Sequence, residues 1–162
     1  LFRGPVGVYI NSKLLTSKIF SSFSPSYSLN EWNEELNNVA EKVKLIQNNG
    51  LPKISMITVG SFIGYKNQQY ILDTCLLLKQ HSIPFHLFMV GDGELRGQYE
   101  KFIIENSLQS QITITGKLNY KEVRKLYRQT NFVVQAPTVE GFGKVPVEGF
   151  FHGVIPILII FH

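Results

Sequence analysis

The sequence has little of several residue types that characterise whole classes of protein. Its 162 residues include one cysteine, one tryptophan and four histidines. A single cysteine, Cys75, cannot form an internal disulfide, which favours a reducing compartment such as the cytoplasm. Because Cys75 falls on an apolar helix face, we expect a buried and inert thiol. The histidines are scattered, with no Cys or His partner at metal-ligand spacing, so the sequence predicts no metal site.

Targeting signals and long apolar segments are also missing. The chain begins without a basic and then apolar leader, so no signal peptide is expected. Its apolar run over residues 156–162 is far shorter than the ~20 residues that cross a bilayer. We interpret that run as a buried strand that stops before its following helix. Both ends are therefore expected to be cuts in a longer protein.

The charge balance does not identify a partner. The net charge is +4, and the basic residues are not interleaved with aromatic ones as nucleic-acid binding would favour. Lys121, Arg124, Lys125 and Arg128 share one face of a predicted helix, since they lie three, four and seven residues apart. Such a stripe is typical of a solvated helix face, and the alternative is peripheral contact with anionic lipid.

The apolar pattern changes near residue 50. Residues 1–50 contain a short β-rich stretch, a Ser-rich segment, and a helix that is predicted to run to about Gln47. Ser28 and Glu31 are predicted to form a capping box at the start of this helix. We interpret residues 1–50 as the end of one domain and a joint, with an ordinary polar linker as the alternative, and residues 51–162 as a second, truncated domain.

Apolar segments of strand type and of helix type alternate along the second domain. Strands are predicted over residues 54–59, 85–90, 112–115, 132–134 and 154–160, and helices over 67–80, 95–103, 123–127 and 144–152. Strict alternation and strands that are apolar on both faces indicate a parallel sheet covered on both sides. The predicted fold is an α/β, Rossmann-like, doubly wound domain.

The most informative stretch, residues 140–148, follows the fourth of these strands. Glu140 precedes Gly141, Phe142 and Gly143, and Glu148 lies eight residues after Glu140. Pro146 is tolerated in the first turn of a helix, which fixes the helix start near Gly143 or Lys144. A helix start attracts phosphate, and carboxylates accept the hydroxyls of sugars. The stretch therefore predicts a pocket for a sugar, a diphosphate and a ribose.

Two glutamates eight residues apart, with Gly-Phe-Gly after the first, resemble the motif of the retaining GT-B glycosyltransferases, and of the "group 1" family in particular. The resemblance implies that the chain is the donor-binding, C-terminal half of a GT-B fold. It implies that Glu140 contacts the hydroxyls of the donor sugar and that Glu148 binds the ribose hydroxyls. Gly141, Phe142 and Gly143 would lie beside the sugar and its diphosphate.

Three further loops at the carboxyl edge of the sheet resemble loops of the same family. In the loop after the first strand, Gly60 and Lys66 match the family's Gly-Arg-Leu and Lys-Gly positions, whereas Ser61 replaces the arginine. The resemblance implies that Lys66 neutralises the diphosphate, and Ser61 leaves one cation where the family has two. The alternative for Lys66 is a solvated lysine at a helix start.

The loops after the second and third strands extend this resemblance. Gly91 lies in Val-Gly-Asp-Gly, which is similar to the family turn under the nucleotide, and a purely structural turn with Asp92 as its cap is the alternative. A dinucleotide site is disfavoured because Arg96 replaces its third glycine. The backbone of Lys117 and Leu118 would contact the edge of the base, and the alternative is a strand that simply ends at Gly116.

The function implied is retaining transfer of a hexose from a nucleotide sugar to an acceptor hydroxyl. Glu140 and Lys66 are the expected catalytic residues, without a metal or another cofactor. The acceptor would be a sugar or lipid-linked glycan of a bacterial surface polysaccharide or glycolipid, bound by a preceding domain. We expect a cytoplasmic enzyme, with peripheral contact at the inner face of the membrane as the alternative to a solvated helix face. We also expect a fragment that binds donor weakly and transfers nothing alone.

Two other functions are weighed against this one. A nucleotide-sugar-binding module without transferase activity is the main alternative, and Ser61 in place of arginine favours it. A GT-B-like epimerase or phosphorylase is disfavoured, because no lysine is placed to hold a pyridoxal cofactor.

Overall fold

The structure is a computed structural model that describes residues 29–50, 54–139 and 143–159, with side chains from residue 33 onward. Two compact units divide the chain between Asn37 and Asn38, and the second contains the whole described sheet. Helix α1 (Leu29–Asn49) crosses this boundary and ends where Gly50 has a φ of +74°. The capping box of Ser28 and Glu31 lies outside the described side chains, so it stays a prediction, as does the domain boundary at residue 50.

The second unit alternates strands and helices, as the apolar periodicity predicts. A short 3-10 helix, Gly64–Lys66, precedes α2. The strands are β1 (Ile54–Val59), β2 (Phe85–Val90), β3 (Ile112–Gly116), β4 (Phe132–Gln135) and β5 (Ile155–Leu158). The remaining helices are α2 (Gln68–Gln80), α3 (Arg96–Glu105), α4 (Tyr120–Gln129) and α5 (Lys144–Phe151).

The five strands form one parallel sheet in the order β3-β2-β1-β4-β5. β1 pairs with β2 along its whole length, from Ile54 beside Phe85 to Val59 beside Val90. β2 and β3 therefore extend the sheet on one side of β1, and β4 and β5 extend it on the other side. This order confirms the predicted doubly wound fold.

Each face of the sheet is covered by a separate pair of helices. On one face, Ile71, Leu72 and Cys75 of α2 pack with Tyr99 and Ile103 of α3 against the sheet. On the other face, α4 and α5 cover a smaller cluster of buried side chains, which consists of Ile57, Val90, Val123, Tyr127, Val133 and Val154. Removal of these apolar surfaces from water on both sides is the main favourable contribution to this fold.

The expectation of a buried last strand is wrong for the residues that the structure describes. Ile155, Ile157 and Leu158 are 48%, 41% and 53% exposed. β5 is the outermost strand of the described sheet and pairs with β4. An edge strand lacks a neighbour on its outer side, so its side chains stay more exposed than those of inner strands, even though they are apolar.

Cys75 is expected to be unreactive in the folded chain. Its side chain is 1% exposed, and burial raises the pKa of the thiol to about 12. The thiolate is the reactive form of cysteine. Over the time in which iodoacetamide at pH 8 fully modifies Cys75 in denaturant, native Cys75 should therefore stay unmodified. Mass spectrometry of the two samples measures this difference. Equal rates of modification with and without denaturant would contradict the prediction.

Candidate functional site

The strand order places a topological switch point between β1 and β4. The backbone ladder between these strands runs from Met56 and Phe132 to Ile57 and Val133. Nearer the carboxyl edge, the side chain of Gln135 makes the connection, since its Nε2 donates to Thr58 Oγ1 and to the Val59 carbonyl, both at 3.3 Å. Ligands of open parallel sheets bind in the crevice outside such a switch point. The loops that leave β1 and β4 are therefore the walls of the candidate site.

The first loop, residues 60–67, joins β1 to α2. Gly60 donates its N–H to the Val90 carbonyl at 2.9 Å, which fixes the start of the loop to β2. Ser61 is exposed, and Lys66 is half-buried at the end of the 3-10 helix. Lys66 Nζ lies 5.6 Å from the centroid of the Tyr65 ring. The loop thus carries a cation and an exposed hydroxyl side chain at the carboxyl edge of the sheet.

The second loop lies directly against the first. A Cβ atom at Gly91 would lie 1.9 Å from the Gly60 carbonyl oxygen, so this close approach requires glycine. Asp92 Oδ1 accepts from the N–H of Gly93 at 2.8 Å, and Asp92 Oδ2 lies 3.3 Å from Arg96 Nη1. Asp92 is therefore engaged within its own turn, which supports the structural reading of this loop.

The third loop joins β3 to α4 and lies beside the second loop. Gly91 donates its N–H to the Gly116 carbonyl at 2.9 Å, so the ends of β2 and β3 are also joined. Lys117 is exposed, while Leu118 packs against the buried cluster under α4 and α5. Gly60, Gly91, Lys117 and Leu118 thus lie on three neighbouring loops at one edge of the sheet.

The fourth loop, which follows β4, contacts the first across the switch point. The N–H of Thr138 donates to the Tyr65 carbonyl at 2.9 Å. Residues 140–142 lie outside the described part of the chain, so the placement of Glu140, Gly141 and Phe142 stays a prediction. Gly143 is the N-cap of α5, and Lys144 is its first residue, which confirms the helix start that Pro146 indicates.

Glu148 lies in the second turn of α5 and is half-buried. Burial raises the pKa of Glu148 above its ordinary value, and the nearby positive charge of Lys144 partly opposes this shift. The helix lies close to β4, because a Cβ atom at Gly149 would be 2.7 Å from Val133 Cγ1. A carboxylate that is half-shielded from water forms stronger hydrogen bonds to hydroxyl groups than an exposed one.

The patterns read from the sequence do not predict the buried polar residues around these loops. Gln68, Tyr99 and Gln135 have at most a few per cent of their surface exposed, and each makes a side-chain hydrogen bond. An amide in the otherwise apolar strand 132–135 was a usable signal for Gln135. Gln68 and Tyr99 lie 31 positions apart in the sequence, and nothing local relates them.

The basic stripe on α4 is not uniformly exposed. Arg124 is buried, whereas Lys121 and Lys125 are exposed. Arg124 is three residues before the buried Tyr127, so it lies toward the core side of the helix rather than on the solvated side. Across the described residues, no helix is long and apolar enough to span a bilayer.

A doubly wound parallel sheet with its loops gathered at a switch point defines the Rossmann-like α/β class, which includes the GT-B glycosyltransferases. The sequence model of the family described as "Glycosyl transferases group 1" matches residues 40–160. The chain therefore belongs to the group 1 glycosyltransferase family. The resemblance to the group 1 family that the motif at residues 140–148 suggests is thereby confirmed.

Individual glycosyltransferases are also similar to this chain. The uncharacterized glycosyltransferase MJ1178 of Methanocaldococcus jannaschii is 34% identical over 91 residues, which are 56% of this chain and 24% of that protein. WaaG, a glycosyltransferase involved in lipopolysaccharide biosynthesis, matches 82% of this chain and 35% of its own, with 21% identity and a TM-score of 0.61.

The pneumococcal O-GlcNAc transferase GtfA, solved in complex with UDP and GlcNAc, matches 65% of this chain and 20% of its own, with 19% identity and a TM-score of 0.60. At these identities the solved structures support the fold. The chain spans about a quarter of the length of the curated relative from Methanocaldococcus.

Proposed function

We propose that this chain is the donor-binding part of a retaining glycosyltransferase. It holds a nucleoside-diphosphate sugar at the carboxyl edge of the sheet for transfer of a hexose to an acceptor hydroxyl. The acceptor is a sugar or lipid-linked glycan of a bacterial surface polysaccharide or glycolipid, bound by residues that precede this domain. The reaction takes place in the cytoplasm, and peripheral contact of α4 with the inner face of the membrane is the alternative to a solvated surface.

One observation carries this proposal: the loops after β1 and β4 meet across the switch point. The hydrogen bond from Thr138 to the Tyr65 carbonyl joins them at 2.9 Å. Lys66 lies on one of these loops, and the other leads into the start of α5. A cation beside a helix N-terminus suits a diphosphate. The similarity to GtfA, which was solved with UDP and GlcNAc, supports a donor of this type.

The chemistry divides between charge stabilisation and orientation. Lys66 and the backbone amides of Gly141, Phe142 and Gly143 stabilise the negative charge that develops on the leaving diphosphate. Glu140 orients the donor sugar through its hydroxyls, and Glu148 holds the ribose. This division needs no metal ion, because fixed dipoles and the lysine supply the positive charge. Gly60, Ser61, Gly91, Lys117 and Leu118 complete the walls around the nucleotide.

Thermal-shift measurements with UDP, GDP, ADP and their sugars test the proposal. A ligand that binds the folded chain at about 100 times its dissociation constant adds about 2.7 kcal/mol to the free energy of unfolding. We therefore expect one of these nucleotides to raise the melting temperature by several degrees. No shift with any of the three diphosphates or their sugars would contradict donor binding.

A lysine variant links that shift to the candidate site. Lys66→Gln should weaken binding of the same diphosphate by roughly tenfold, because a charge-assisted hydrogen bond contributes about 1.5–3 kcal/mol. Lys101→Gln is the matched control, since Lys101 is 74% exposed on α3 and pairs with Glu105 at 3.7 Å. Equal affinities of the Lys66 and Lys101 variants would remove Lys66 from the diphosphate site.

A second candidate is a nucleotide-sugar-binding module without transferase activity. Ser61, exposed on the first loop where the family has an arginine, favours this reading. The isolated chain should transfer nothing under either proposal, so the test requires a protein as long as the relatives. Donor-dependent transfer by that protein, lost in Glu148→Ala, would exclude the binding module.

A further inference from the structure

Gln68 is a buried amide at the first position of α2. Its side chain is 2% exposed. Nε2 donates to the Ser61 carbonyl at 3.0 Å, and Oε1 accepts from the Tyr99 hydroxyl at 3.3 Å. A buried amide without hydrogen-bond partners is strongly unfavourable, so both of these bonds favour one orientation of the side chain.

The bond from Gln68 fixes a single peptide group of the first loop. The carbonyl of the peptide between Ser61 and Phe62 accepts from Gln68, and the N–H of the same peptide donates to the Asp92 carbonyl at 3.0 Å. The two edges of this peptide plane are therefore held from two directions. Ser61 is exposed, and the fixed peptide plane that follows it restricts the orientation of its backbone.

Tyr99 anchors this arrangement to α3. Its side chain is 0% exposed, and its ring packs edge-on against Phe62 with 5.4 Å between the ring centroids. Burial raises the pKa of Tyr99, so its hydroxyl stays protonated and can donate to Gln68 at neutral pH. Phe62 is also held by backbone, because its carbonyl accepts from the N–H of Leu95 at 3.1 Å. The first loop is thus attached to the element that follows β2.

We propose that Gln68 and Tyr99 are positioning residues that set the first loop in the conformation that binds the donor diphosphate. Both are buried, so they act through the peptide group between Ser61 and Phe62 rather than by touching the donor. This inference rests on the proposed function, since it assigns the loop to the diphosphate. Tyr99 belongs to the apolar cluster that includes Phe62, Ile71, Leu72 and Leu87, and this inference gives a role to its buried hydroxyl.

The test compares affinities for nucleoside diphosphates and monophosphates, measured by calorimetric titration with UDP and UMP, GDP and GMP, and ADP and AMP. Gln68→Leu removes both hydrogen bonds at a similar side-chain volume. We expect it to weaken binding of the preferred diphosphate by roughly tenfold and binding of its monophosphate by much less, because the loop loses its fixed orientation toward the second phosphate. If Gln68 only stabilises the fold, Gln68→Leu would lower the melting temperature but leave the ratio of the diphosphate affinity to the monophosphate affinity unchanged.

Two companion variants complete the experiment. Gln69→Leu is the matched control, because its Nε2 bonds Asp73 at 2.9 Å on the exposed surface of the same helix, and it should keep the wild-type ratio. Tyr99→Phe removes only the hydroxyl and provides the test if Gln68→Leu does not fold. Tyr99→Phe should also lower the ratio of the diphosphate affinity to the monophosphate affinity.

The outcomes separate this inference from the function on which it rests. An unchanged ratio in the folded Gln68 and Tyr99 variants, with a wild-type chain that binds a diphosphate, overturns the positioning proposal alone. A wild-type chain that binds none of the three diphosphates overturns both. A lowered ratio in Gln68→Leu and Tyr99→Phe, with Gln69→Leu unchanged, supports the proposal.

Discussion

Replacement of Glu148 by glutamine is expected to weaken binding of a nucleoside diphosphate by roughly 10- to 100-fold, since hydrogen bonds to a charged group contribute about 1.5–3 kcal/mol. Under the proposed function, the Glu148 carboxylate accepts two neighbouring ribose hydroxyls at once. A glutamine at this position offers one acceptor oxygen and presents two unwanted N–H donors. Calorimetric titration of wild-type and Glu148→Gln chains with the diphosphate that binds best measures the loss.

The dependence of this affinity on pH provides a second readout. Burial holds the pKa of Glu148 above its ordinary value, and the ionised form is the one that accepts both hydroxyls. Wild-type affinity should therefore fall as the pH decreases through this raised pKa, at a higher pH than for an ordinary glutamate. Glu148→Gln cannot titrate at this position and should lack that part of the pH dependence.

Ionisation of Glu148 is expected to strengthen ligand binding but to lower the stability of the fold. A carboxyl group with a raised pKa in the folded state binds more protons there than in the unfolded chain. Its ionisation therefore lowers the free energy of unfolding as the pH rises from the unfolded to the folded pKa, and the loss persists above the folded pKa. At neutral pH, Glu148→Gln should be at least as stable as wild type although it binds donor poorly. Glu105→Gln, at an exposed carboxylate on α3, should change neither property.

A result in which Glu148→Gln binds the diphosphate as tightly as wild type at neutral pH would contradict a ribose contact. Weak binding together with a lower melting temperature would instead indicate that α5 itself is disturbed. Weak binding at unchanged or raised stability is the combination that a direct contact with the ligand predicts.

The fold could be predicted from the sequence because its elements are defined by local patterns. The short apolar runs of β1 to β4 and the period near 3.6 in α2 to α4 are each visible within the element's own residues. The start of α5 was equally local, since Pro146 is compatible with a first turn and Gly143 with an N-cap. The rules for connections in parallel sheets then reduce the possible strand orders to a few.

The remainder depends on contacts between distant residues, which local patterns do not report. The bond between Gln68 and Tyr99 exists because the loops after β1 and β2 are neighbours in the sheet. Burial of Arg124 follows from the side of α4 that packs on the sheet, which the spacing of basic residues cannot reveal. The exposure of β5 likewise depends on its place at the edge of the described sheet, since its sequence is as apolar as that of an inner strand.

Gly91→Ala is expected to cause the largest loss of stability of any single methyl addition in the described loops. The added Cβ would lie 1.9 Å from the Gly60 carbonyl oxygen and 3.2 Å from the Phe62 ring. The obstructing atom at 1.9 Å belongs to the backbone, so no rotamer change relieves it. Gly91 also has a φ of +149°, which a residue with a side chain rarely adopts. Overpacking and an unfavourable φ each cost about 1–3 kcal/mol, so we expect a decrease of roughly 2–5 kcal/mol in the free energy of unfolding.

Gly97→Ala is the matched control for this prediction. Gly97 lies within α3, and a Cβ atom there would have no neighbour within 4 Å. Alanine in an exposed helix position is favoured over glycine by about 0.5–1 kcal/mol, so Gly97→Ala should be neutral or stabilising. Urea unfolding of the two variants under identical conditions compares the same chemical change at a closed and an open position. If both variants unfold at the wild-type urea concentration, the loops after β1 and β2 are not in contact, and the candidate site loses the wall that holds Ser61 and Lys66.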